Sequence, residues 1–68
     1  MAKIYKYKDF CGLYNIVEHS DGKCAVYHFT NGKSYRIKNY NSLKGARIGL
    51  ARYCGGMPHR IDSRGRYI

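Results

Sequence analysis

Three cysteines (Cys11, Cys24, Cys54) and three histidines (His19, His28, His59) are the side chains of this 68-residue chain best suited to chemistry. A cysteine nucleophile needs a base within hydrogen-bond reach, and two pairings can be written, Cys24 with His28 and Cys54 with His59. Four residues along one strand separate the first pair by roughly 13 Å, which is too far for proton transfer. Carboxylates are scarce: Asp9, Glu18, Asp21 and Asp62. Asp21 belongs to a turn signal and Asp62 to the last twelve residues, so no pair is placed for acid–base work. No enzyme is expected.

Structural zinc takes Cys and His ligands. His19 and Cys24 face one another in the strand register derived below, with Cys54 at a helix end nearby. The six residues lack the close C-x-x-C pairs of zinc modules. The expectation is no metal and no cofactor, with the thiols acting as small hydrophobes. An odd cysteine count and a start (Met-Ala-Lys-Ile-Tyr-Lys) without an apolar core point to a reducing cytoplasm. No apolar run approaches the ~20 residues of a membrane span.

The elements that position these groups are read from residues 13–40. Asp21-Gly22 and Asn31-Gly32 are two-residue turn signals compatible with type I′ geometry, each between runs rich in Tyr, Val, Ile and Phe. Three strands follow, at about 13–19, 24–30 and 33–39. Residues 3–8, Lys-Ile-Tyr-Lys-Tyr-Lys, make a first strand, with Tyr7 opposite Tyr14 and Tyr5 opposite Ile16. Two-residue turns put Val17 opposite Val26 and Val26 opposite Ile37. One face is then aliphatic (Ile4, Val17, Cys24, Val26, Ile37). The other is an aromatic strip (Tyr5, Tyr7, Tyr14, Tyr27, Phe29) beside Arg36 and Lys38.

After Tyr40, Asn41 or Ser42 can cap a helix over 43–54, whose stripe is Leu43, Ala46, Leu50 and Tyr53 or Cys54. Gly55-Gly56 and Pro58 stop it. Gly45 and Gly49 share a face suited to close approach, and the helix is expected over the aliphatic sheet face. The fold class is α+β: an antiparallel meander of three to four strands against one C-terminal helix. Residues 1–56 form the domain, and 57–68 read as an irregular basic tail.

Thirteen Lys and Arg against four Asp and Glu give a formal charge of +9, which speaks to a polyanionic partner. Rings flanked by cations on strand surfaces suit RNA and single-strand binding, because rings stack on bases while cations hold phosphates. The expected binding set is Lys3, Tyr5, Tyr7, Tyr14, Lys23, Tyr27, Phe29, Lys33, Arg36, Lys38, Lys44, Arg47, Arg60, Arg64 and Arg66. The run from Gly22 to Ile37, followed by a short helix, is similar to the three-stranded DNA-binding sheets of plant Apetala-type domains and of some integrase arm-binding domains. That resemblance implies a sheet face in a duplex major groove and implicates Lys23, Lys33, Arg36 and Lys38.

The function expected is a small, basic, non-enzymatic nucleic-acid-binding protein, with no membrane and no small-molecule substrate. The alternative is a protein inhibitor or effector, of the size typical of phages and mobile elements, whose basic surface docks on an acidic protein or a nucleic-acid-binding site.

Overall fold

The computed structural model describes residues 2–68. Its strands are β1 (Lys3–Asp9), β2 (Gly12–Glu18), β3 (Cys24–Thr30), β4 (Lys33–Tyr40) and β5 (His59–Ile61), with one helix, α1 (Leu43–Cys54), before β5. All pair antiparallel in a single sheet of order β4-β3-β2-β1-β5. The α+β expectation stands, with five strands.

Local chemistry explains the elements that match their sequence signals. Ser42 caps α1 by accepting a hydrogen bond from the Gly45 amide at 3.0 Å. Gly55 ends the helix in the left-handed region at φ 72°. Asn31 and Gly32, at φ 53° and 73°, close the β3–β4 hairpin as the type I′ turn that their sequence favours. The β1–β2 register also matches, with Tyr7 opposite Tyr14 and Tyr5 opposite Ile16.

The first turn departs from expectation, and the departure rearranges the sheet. His19 donates its amide to the Lys23 carbonyl (2.8 Å) and accepts from the Gly22 amide (2.9 Å). Of the two turn residues only Gly22 has positive φ, at 88°, whereas a type I′ turn needs both. The loop is therefore three residues, Ser20-Asp21-Gly22, with Asp21 Oδ1 accepting from the Lys23 amide at 3.0 Å. Val17 consequently faces Ala25, and Val26 faces Ile16. Glu18, rather than His19, stands opposite Cys24.

A shift of one residue exchanges the faces of a strand. Cys24 and Val26 join Tyr7, Tyr14 and Ile16, and α1 covers this mixed face with Ala46 and Leu50. The expected separation into aliphatic and aromatic faces, with the helix on the aliphatic one, is corrected accordingly. Ile16, Val26, Ala46 and Leu50 are wholly buried, and full burial of a Val, Ile or Leu side chain contributes about 1.5–3 kcal/mol. On β4 a bulge sets Lys38 opposite Val26 and Arg36 opposite Tyr27, so the expected Val26–Ile37 pair is absent. Ile37 is the extra residue and packs against the core. Tyr40 lies across the helix, where a Cβ on Gly49 would run into its hydroxyl and ring.

Residues 57–68, expected to be irregular, contain the fifth strand. Pro58 is buried, Ile61 is 5% exposed, and β5 pairs with β1 through Lys6–Ile61, Tyr7–Arg60 and Lys8–His59. The chain then reverses as it does at residues 19–23. Asp62 donates its amide to the Arg66 carbonyl (2.9 Å) and accepts from Gly65 (3.0 Å), with Gly65 at φ 85°. Ser20-Asp21-Gly22 and Ser63-Arg64-Gly65 are thus the same kind of three-residue loop.

Candidate binding face

Alternation along the strands decides which side chains share the face that α1 leaves bare. Three rows cross it. His59, Lys8, Leu13, Phe29 and Ser34 form one; Ile61, Lys6, Asn15, Tyr27 and Arg36 the next; Ile4, Val17, Ala25 and Asn39 the third. Ala25 and Ile61 are buried, Lys6, Asn15, Val17, Tyr27 and Phe29 are half-buried, and Ile4 and Leu13 are exposed. Arg36 donates to the Tyr27 hydroxyl at 3.2 Å and sits 5.6 Å from its ring centre. The guanidinium thereby makes a cation–π contact with that ring. A groove of about 450 Å³ runs from Ile61 over Lys6, Lys8, Leu13 and Asn15 to Phe29, bordered by residues 62–65.

No strand position in these rows is acidic. Alternation places both strand carboxylates on the helix side, where they accept hydrogen bonds from tyrosines. Glu18 Oε1 accepts from the Tyr5 hydroxyl (3.1 Å), and Asp9 Oδ1 from the Tyr14 hydroxyl (3.2 Å) and the Cys11 amide (2.8 Å). Asp62 Oδ1 accepts from the Arg64 and Arg66 amides, and Asp21 serves its own loop. Burial is the largest cause raising the Tyr14 phenol well above its ordinary value near 10, and the Asp9 carboxylate adds to it. Burial likewise raises the Cys24 and Cys54 thiols, which disfavours their thiolate forms.

The expected binding residues divide. Tyr27, Phe29 and Arg36 stand together on the bare face, and Arg64 borders its groove. Tyr7 and Tyr14 are each 2% exposed beneath α1, and Tyr5 packs against that core with Arg60 4.9 Å above its ring. Tyr7 and Tyr14 are therefore withdrawn from any stacking surface, and half-buried Tyr5 turns to the helix side with them. The expected single strip with Tyr27 and Phe29 is thus corrected: the shifted β2–β3 register splits it between two faces. Lys3 lies opposite Glu18, Lys38 stands over the Tyr40 ring, and Lys44 and Arg47 occupy the outer face of α1 beside Ile48. Lys23 and Lys33 are exposed at hairpin ends, and Arg66 is held in the last turn. Lys6, Lys8, Leu13 and Asn15 were not anticipated. The signal was present in residues 3–8, because burying Tyr5 and Tyr7 turns Lys6 and Lys8 to the other side.

His28 belongs to the helix side. It stacks on Tyr14 with ring centres 4.5 Å apart, donates from Nε2 to the Cys11 carbonyl (3.3 Å) and accepts at Nδ1 from the Tyr53 hydroxyl (3.2 Å). Among the described residues, no three His, Cys, Asp or Glu side chains converge on a point that would hold a metal ion. None of the described helices is long and apolar enough to cross a membrane.

No protein family, curated protein or solved structure matches this chain.

Proposed function

We propose that the protein is a non-enzymatic nucleic-acid-binding module of a reducing, cytoplasmic compartment, and that its working surface is the bare face of the sheet. The observation that carries this reading is the segregation of charge by strand alternation. Lys6, Lys8 and Arg36 share a face with Tyr27 and Phe29, while Asp9 and Glu18 lie behind it as acceptors for core tyrosines. Cations beside accessible rings are what a phosphate backbone with stackable bases requires. Lys23, Lys33 and Arg64 at the loops widen the positive field that attracts a polyanion.

The test is gel retardation with duplex DNA, single strands and structured RNA at about 150 mM salt, followed by the salt dependence of affinity. Binding with a log–log slope of roughly −0.7 to −0.9 per phosphate neutralised supports the reading. Absence of any shift removes it.

One observation favours a second reading. Ile4 is 56% exposed and Leu13 is 43% exposed on the same face, and exposed aliphatic side chains serve a protein partner better than a phosphate backbone. In that reading the protein is an inhibitor, of the phage or mobile-element type, that covers an acidic or nucleic-acid-binding site on another protein. Failure to shift any nucleic acid, together with tight binding to an acidic protein, would favour it.

A further inference from the structure

We infer, building on the nucleic-acid reading, that the ligand is a single strand and that one of its bases lies in the groove against Leu13 and Phe29. The width of the face argues against duplex. Five strands about 4.8 Å apart span roughly 19 Å, and a major groove is about 12 Å wide. Phe29 lies on the second strand from one edge, and the 62–65 turn borders the groove at the other. A duplex edge held outside such a sheet does not bring its stacked bases to Phe29. An unstacked base does reach it.

The lining of the groove fits that occupant. Leu13 and Phe29 are directly opposed across β2 and β3 and offer an apolar floor. Asn15, diagonal to Phe29 in the next row, brings an amide with both a donor and an acceptor for a base edge. Lys6 and Lys8, two residues apart on β1 with backbone positions roughly 7 Å apart, supply positive charge along one side. With Arg64 they set three cations against one carboxylate, Asp62, whose Oδ1 already accepts two backbone amides. At about 450 Å³ the groove has the size of a small-ligand site.

The chain has no tryptophan, so Phe29→Trp installs a single reporter at the proposed stacking position. It is titrated at about 150 mM salt with a thymidine oligonucleotide of about fifteen nucleotides and with a duplex of equal length, and binding is followed in parallel by anisotropy of labelled oligonucleotide. The expected result is saturable quenching by the single strand and affinity at least roughly tenfold weaker for the duplex. Equal or tighter duplex binding overturns the inference and leaves the nucleic-acid reading standing. Single-strand binding without quenching puts the strand elsewhere and also overturns it. Binding of neither ligand overturns the inference and leaves the broader reading to the structured-RNA arm of the retardation series. Phe29→Leu, checked by its melting curve, is expected to lose roughly tenfold in single-strand affinity with the salt slope unchanged. Unchanged affinity in that folded variant counts against the inference.

Discussion

The two faces of the sheet use similar residues for opposite purposes. Under α1, tyrosines are structural: Tyr7 and Tyr14 are buried, and the Tyr5 and Tyr14 hydroxyls are bound to Glu18 and Asp9. On the bare face, Tyr27 and Phe29 remain half-buried, and the groups around them are Lys6, Lys8, Asn15 and Arg36. A tyrosine count therefore says nothing about a stacking surface until the faces are known. Carboxylates make the same distinction in reverse, since each is consumed as an acceptor within the fold.

Two neighbours on β3 separate the faces by the largest expected effect. Val26→Asp places a charge at a wholly buried position beneath α1, at a cost comparable to the total stability of so small a domain, and is expected to abolish the thermal transition. Tyr27→Ser, one residue on and on the other face, is expected to stay folded and lose nucleic-acid affinity. Similar collapse of both in thermal melts would mean that the two faces are not distinct.

Gly49→Ala probes the helix side alone. Alanine improves helix propensity by about 1 kcal/mol, but its Cβ collides with the Tyr40 hydroxyl and ring. Overpacking of this kind costs about 1–3 kcal/mol, so a lower melting temperature is expected, with binding by the folded protein unchanged. A higher melting temperature would show that Tyr40 moves aside freely.

An alkaline titration reads the buried phenol. Tyr14 ionises well above the ordinary value near 10 in the folded state, so the folded protein holds its proton where the unfolded chain has lost it. Its contribution is complete below about pH 10 and declines as pH rises beyond that. Tyr14→Phe is expected to be less stable at neutral pH, having lost the bond to Asp9, and to show a shallower decline in melting temperature above pH 10. An unchanged alkaline slope would contradict the burial of this ring.

The smallest effect on stability belongs to two surface lysines, each expected to lie within about 0.5 kcal/mol of the parent. Lys8→Ala removes a charge from the bare face, and Lys44→Ala removes one from the outer face of α1. Both change net charge by one, so long-range attraction falls equally. Only Lys8→Ala is expected to reduce the salt slope, by roughly 0.7 on a single strand. Equal slopes in the two variants would show that Lys8 makes no phosphate contact.

Local chemistry was legible in the residues themselves. Ser42 and Gly55 delimit α1, Asn31-Gly32 sets a type I′ hairpin, and a short reversal between Asp9 and Gly12 leaves β1 and β2 in the expected register, with Tyr7 opposite Tyr14. The formal +9 is likewise a property of sequence alone. The composition of each face was decided by tertiary structure. Asp21-Gly22 is compatible with a two-residue loop or with the end of a three-residue loop, and the choice exchanges the faces of β3 relative to β2. The observed choice puts Cys24 and Val26 beside Tyr14 and Ile16, where Ala46 and Leu50 cover them all. β5 was hidden for the same reason: three residues carry little periodicity, and His59–Ile61 becomes a strand only because β1 offers an edge and Ile61 a place to be buried. Turn propensities differ by amounts that one buried side chain exceeds, so packing against the helix, a contact between residues distant in sequence, decided which rings reach solvent.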